Sequence, residues 1–132
     1  MKKILLLLFT ASLFIFLTGC DTENPGGVLV GNQIPLSVLE FVEKENILKD
    51  EKLVAYYDVT IKLNNLESAI LTDKNLIYYK YGQVSQIPIN EIDDISYNDN
   101  FYGLNIMASS KTGDIIAKEI AKLNNGEIFL DL

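Results

Sequence analysis

The first seventeen positions split into a short polar start and a long apolar run. Met1-Lys2-Lys3 is followed by Ile4 to Leu17, ILLLLFTASLFIFL, 14 residues without a charge. A helix of that length rises about 21 Å, short of the roughly 30 Å of a bilayer core, and matches the apolar region of a signal peptide. Asp21-Thr22-Glu23-Asn24-Pro25-Gly26-Gly27 is polar and rich in turn formers, so residues 20–33 are expected to form a flexible tether ahead of a domain at 34–132. Pro35, Ser37 and Glu40, with Leu36, Leu39, Phe41 and Val42, predict a short helix over 36–46, and 46–52 reads as a turn or a second short helix.

From Lys52 the period changes to two. Residues 53–63 are rich in β-branched and aromatic side chains and predict a strand, with a turn at Asn64-Asn65. Further strands are expected to begin near 67, 76, 85, 95, 103 and 115, separated by turn signals at Asp73-Lys74-Asn75, Gly82-Gln83, 98–103 and Lys111-Thr112-Gly113-Asp114. Pro88 marks the strand near 85 as an edge or a bulge. Residues 115–123 have the propensity of a helix, but a hairpin turn precedes them and Asn124-Asn125-Gly126 follows, which favours a strand. A final short helix is expected over 126–132, presenting Ile128, Phe129 and Leu132. Short strands at this spacing predict a mainly β (α+β) domain, a small antiparallel barrel or sandwich, with a short helix before it and a terminal amphipathic helix to plug one open end.

Composition mainly excludes. All 11 basic residues are Lys; His and Trp are absent and Cys occurs once. No Ser-His-Asp triad, Cys-His pair, His-ligated zinc or internal disulfide can be built. A net charge of −7 argues against nucleic acid as a partner. Without residues 1–19 the balance is 9 Lys against 18 acids, or −9, which repels anionic headgroups.

The single cysteine ends the motif Leu17-Thr18-Gly19-Cys20 directly behind the apolar run. This resembles the lipobox of bacterial lipoproteins. The resemblance implies a diacylglycerol on the Cys20 thiol and cleavage before Cys20, so that residues 1–19 are a signal peptide. It implies a bacterial cell-envelope location, lipid-anchored to a membrane. In a Gram-negative host, Asp21 resembles the signal for retention on the periplasmic face of the inner membrane.

A second resemblance runs from Ala69 to Ile95, AILTDKNLIYYKYGQVSQIPINEIDDI. It is similar to bacterial PH-like domains, whose recurrent pattern is an LTDKRLIYY strand pair, an IPxxxI strand and then DI, with Asn75 here in place of the Arg. It covers about residues 50–132 and implies a strongly bent seven-stranded barrel with a C-terminal helix over one opening. Leu71, Leu76, Ile77, Ile87, Ile89, Ile92 and Ile95 are its expected core wall. Phosphoinositide binding does not carry over: the first hairpin, Lys62-Leu63-Asn64-Asn65-Leu66-Glu67, offers one Lys and one acid where several cations would be needed.

Candidate chemistry is sparse. Glu91, Asp93, Asp94 and Asp99 are the densest acids, but their spacing lacks the order of a calcium loop, and solvated charge is the better reading. No metal or cofactor is implied, and carboxylate-dependent hydrolysis has no motif behind it. If Tyr57, Tyr79 and Tyr81 share an outer face they would form an aromatic patch for a protein partner, though ordinary sheet packing explains them as well. Residues 98–103 offer Phe101 and Tyr102 on a Gly-flanked turn, the best loop for contact. The expectation is a non-enzymatic, membrane-anchored lipoprotein with a PH-like protein-interaction domain. The alternative is an acidic inhibitor or immunity-type lipoprotein that blocks a basic partner.

Overall fold

The computed structural model describes residues 24–121, 124, 126, 128, 131 and 132. The expected signal peptide and Cys20 lie outside the described residues, as does most of the helix expected over 126–132. Among the described residues, eight strands and one α-helix follow in order: β1 (Val28–Val30), α1 (Leu36–Lys44), β2 (Leu53–Asp58), β3 (Glu67–Thr72), β4 (Asn75–Lys80), β5 (Gln83–Pro88), β6 (Ile92–Asp99), β7 (Gly103–Ser110) and β8 (Ile115–Ala121). They form two antiparallel sheets, β1-β2-β3-β4-β5 and β6-β7-β8.

The expected barrel is therefore two open sheets, with no hydrogen-bonded ladder joining them. Pro88 ends β5, a 3₁₀ turn at Ile89–Glu91 follows, and the chain leaves the first sheet to start β6 in the second. β5 is an edge strand, as its proline requires.

Both faces of the larger sheet are covered. On one face Leu29, Tyr56, Ile70, Ile77 and Tyr79 pack with Val38 and Val42 of α1 and with Ile34 and Ile47. On the other, Val28, Tyr57 and Ala69 meet Ile120 of β8, with Ile106 and Ile128 packed alongside. Between the sheets Ala69, Leu76, Ile106, Ala108, Ile116 and Ile120 line a space of about 30 Å³, enough for one water and not for a ligand.

Three boundaries differ from expectation, each for a local reason. Val28–Val30 belongs to the domain and not to the tether, because it pairs with β2 through Val28–Tyr57, Leu29–Tyr56 and Val30–Ala55. β2 stops at Asp58, whose buried carboxylate accepts from Thr60 N (2.8 Å), Thr60 Oγ1 (2.6 Å) and Asn65 N (2.7 Å), turning the chain into a loop instead of a longer strand. Pro35, not Ser37, holds the N-cap of α1. Residues 115–121 form a strand, as the preceding turn at 111–114 predicts.

Of the expected core wall, Ile77 and Ile87 are buried and Leu71, Leu76 and Ile92 half-buried, while Ile89 and Ile95 are exposed. Ile95 pairs with Ala108 on the side of the second sheet that faces the first, but β6 is the outer strand there and the first sheet does not cover it.

Candidate functional site

Strand directions bring three connections, the start of β1 and the end of β8 to one end of the molecule. β1 starts at that end and β2 finishes there, since Val28 pairs with Tyr57. The β2–β3 loop follows, and the β4–β5 turn lies beside it: Glu67 pairs with Lys80, and Tyr81 N donates to Leu66 O at 2.8 Å. In the second sheet β8 finishes at this end, since Asn124 Nδ2 donates to the Tyr57 hydroxyl at 3.1 Å. Gly103 pairs with Ala121, so the β6–β7 hairpin is there too.

That end carries large apolar side chains in solvent. Ile61 is 101% exposed, Phe101 88%, Tyr102 77% and Tyr81 66%. Phe101 and Tyr102 meet edge to face with ring centroids 5.5 Å apart. Asn100 builds their turn. Its Oδ1 accepts from Tyr102 N (2.8 Å) and Gly103 N (3.1 Å), and its own N–H donates to Gly103 O (3.0 Å). Satisfying these donors locally frees both rings to project. Tyr81 and Gly82 both have positive φ, 47° and 83°, the geometry of a two-residue hairpin turn that Gly82 suits and Tyr81 does not. Tyr97, also exposed, lies on β6 below the aromatic tip, two residues beyond Ile95.

Tyr57, Tyr79 and Tyr81 do not share an outer face, and ordinary sheet packing accounts for the first two. Tyr57 and Tyr79 project from opposite faces of the first sheet and both are buried. Tyr79 is 5% exposed, packs edge to face on Phe41 at 5.2 Å and donates to Glu45 Oε2 at 3.0 Å. It is a core residue under α1, and of those three only Tyr81 is exposed. Phe101 and Tyr102 are both exposed on their turn. Ile61 and Tyr97 are not contact candidates on the sequence, and Ile95 is expected there in the core wall.

Behind this end lies one charged network. The Glu67 carboxylate accepts from the Tyr78 hydroxyl and from Lys118 Nζ at 2.8 Å, with Lys80 Nζ at 3.5 Å. Lys118 also sits 5.1 Å from the Tyr78 ring centroid. The Lys118 and Tyr78 hydrogen bonds hold Glu67 well below the usual carboxylate range, at about 2, while burial and the carboxylate push Tyr78 up to about 12. Glu67 is on β3 and Lys118 on β8, so the pair ties the two sheets together. A carboxyl depressed on folding stabilises above its unfolded pKa, and that contribution disappears as pH falls through the folded value. Unfolding free energy should therefore drop by on the order of 2 kcal/mol between pH 5 and pH 2, allowing for partial solvent screening. Urea titrations of the parent and of Glu67→Gln at both pH values check this: the variant should lose that part of the pH dependence.

Among the described residues, no group of three acids, cysteines or histidines could hold a metal ion. Asp93 is the extra residue of a bulge in β6 between Ile92 and Asp94, and Asp99 lies five residues beyond Asp94. No described helix is long and apolar enough to cross a membrane. The chain matches no family model, no curated protein and no solved structure.

Proposed function

We propose that this chain is a lipid-anchored protein of the bacterial cell envelope whose PH-like domain acts as a non-enzymatic interaction module. The observation that carries the reading is the position of the only cysteine. It closes Leu17-Thr18-Gly19-Cys20 immediately behind a 14-residue apolar run and a Lys-Lys start. Acylation at Cys20 would supply the attachment that an acidic chain cannot obtain from headgroup charge.

The domain part of the reading draws support from strand order. The sheets hold five strands, β1 to β5, and three, β6 to β8; with β1 and α1 set aside as additions, seven strands remain, the number the PH-like resemblance implies. The exposed side chains supply the contact surface: Ile95 and Tyr97 along β6, Phe101 and Tyr102 at its hairpin. Confinement to a membrane raises the local concentration of a protein partner, so a modest patch suffices.

Two measurements test it. Mass spectrometry of the membrane-extracted chain should find a diacylglyceryl Cys20 at the new N-terminus, and Cys20→Ser should abolish both the modification and the cleavage. An unmodified thiol with residues 1–19 still present would sink the anchor. Capture of a protein partner from detergent-solubilised membranes should survive about 0.5 M salt, where exposed charge pairs are screened, and be lost in Tyr97→Ala. Capture abolished by salt alone would instead indicate an acidic blocker of a basic partner.

A further inference from the structure

The chain enters the domain at the same end that carries the exposed apolar side chains. Gly26 N donates to Asn24 Oδ1 at 2.9 Å, and Gly26 lies against Leu63 of the β2–β3 loop, within ordinary contact distance of a Cβ placed there. The described chain therefore begins on the side of Ile61, Tyr81, Phe101 and Tyr102, and Cys20 precedes Gly26 by six positions in sequence. Five residues lie between Cys20 and Gly26, and the six residue steps span about 22 Å at most even when fully extended. A bilayer holding residue 20 is then within reach of that end of the domain.

Charge is distributed to match. The carboxylates Asp73, Glu91, Asp93, Asp94 and Asp114 belong to the β3–β4 turn, the β5–β6 connection, the start of β6 and the β7–β8 turn, all at the opposite end. At the chain-entry end Asp58 is buried, Glu67 is paired with two lysines and Lys62 is exposed, while Asp99 beside the hairpin and Glu119 near the end of β8 are exposed acids. The acids of the opposite end are thus held away from the phosphate layer.

We infer that this end docks onto the lipid surface, with Ile61, Phe101 and Tyr102 entering the interfacial region and Tyr81 lying beside them. Tyr suits that layer because its ring buries apolar area while its hydroxyl stays wet, and Phe and Ile contribute apolar area alone. The contact needs no phosphoinositide and no cationic pocket. It rests on the membrane-anchored reading above and divides the exposed patch: the hairpin tip faces lipid, while Ile95 and Tyr97 remain on the flank of β6 for a protein partner. Docking would fix the domain's orientation, so that the flank points along the membrane plane.

The chain contains no Trp, so a single substitution gives a unique fluorophore. Full-length processed protein is prepared with Phe101→Trp, Ile61→Trp or, as reference, Ile115→Trp, exposed at the start of β8 on the opposite end. Each is reconstituted into phosphatidylcholine vesicles with and without bromine-labelled acyl chains, and flotation checks vesicle association. The proposal expects blue-shifted emission at positions 101 and 61 and quenching by bromolipid of at least about twofold, with little at 115. If all three float with the vesicles and quench alike, docking is overturned and the anchor stands. A blue shift at 101 without quenching means that protein covers the tip, and also overturns it. Failure to float removes both the anchor and the docking.

Discussion

Tyr56→Ala should cost about 4 kcal/mol of unfolding free energy, and Tyr56→Phe about 1.5 kcal/mol. Tyr56 is fully buried on β2 beneath α1, in the cluster that holds Leu29, Val38, Val42, Ile70 and Tyr79. Phe41 meets its ring edge to face at 6.5 Å. The Ala variant removes the ring and leaves a cavity where strand and helix meet. The Phe variant keeps the packing and removes only the hydroxyl, which lies 2.8 Å from Ser68 Oγ and donates to Asn65 Oδ1 at 2.5 Å. Burial already pushes that hydroxyl well above its ordinary pKa, so it stays neutral throughout the accessible range. Urea denaturation of the two variants separates the effects. The Phe variant has a second consequence: Asn65 sits in the β2–β3 loop, with φ at 59°. Losing its side-chain partner should loosen the loop that presents Ile61, giving faster amide exchange over 60–66. A Phe variant as unstable as the Ala variant would mean that the hydrogen bonds, not the ring, dominate.

This residue also explains what the chain's pattern did and did not reveal. Alternation along 53–58 and 75–80 marks strands, and turn residues between them mark hairpins, so element order was legible throughout the β region. Alternation names two faces without saying which is wet. In the first sheet neither is, because α1 covers one face and the second sheet the other. Tyr56 and Tyr57 are both buried for that reason, and Tyr79 lies in the core although its neighbours resemble an aromatic surface stripe. The same two-sided burial hides β1. Three residues, Val28 to Val30, become a strand only because β2 offers an edge, and nothing local distinguishes them from the Gly-rich stretch before them. Ile95 shows the converse error. Its apolar side chain fits the strand's expected inner face, but β6 extends past the covering sheet and leaves it in water. The apolar end was legible only in part: Phe101 and Tyr102 stand out in a turn, whereas Ile61 needs the early stop of β2 at Asp58 before it can be seen as a loop tip.

Gly103→Ala should be at least as damaging as a core truncation, on the order of 3 kcal/mol, with Gly103→Val worse. The reason is steric and does not depend on left-handed backbone. A Cβ at position 103 would lie 2.5 Å from Ile120 O, 3.1 Å from its carbonyl carbon and 3.2 Å from Ala121 Cα. These are backbone atoms of the neighbouring strand and have no rotamer by which to retreat. Relief requires β7 and β8 to separate at Gly103–Ala121 and Leu104–Ile120, where Ile120 is buried against Val28, Tyr57 and Ala69. One added methyl therefore disturbs the ladder of the second sheet and its packing on the first together. Gly103 also closes the Asn100 turn through its N–H and C=O, so the strain passes to the hairpin that carries Phe101 and Tyr102. Asn100→Ala provides the contrast. It removes the turn's side-chain acceptor without forcing the strands apart, and should cost only about 1 kcal/mol while disordering the tip. Thermal unfolding and amide exchange then separate the two roles. Gly103→Ala lowers protection across β7 and β8, whereas Asn100→Ala lowers it at 100–103 alone. If Gly103→Ala unfolds like the parent, the close approach of β7 to Ile120 is not a constraint on this fold, and the hairpin's position at the chain-entry end loses its structural cause.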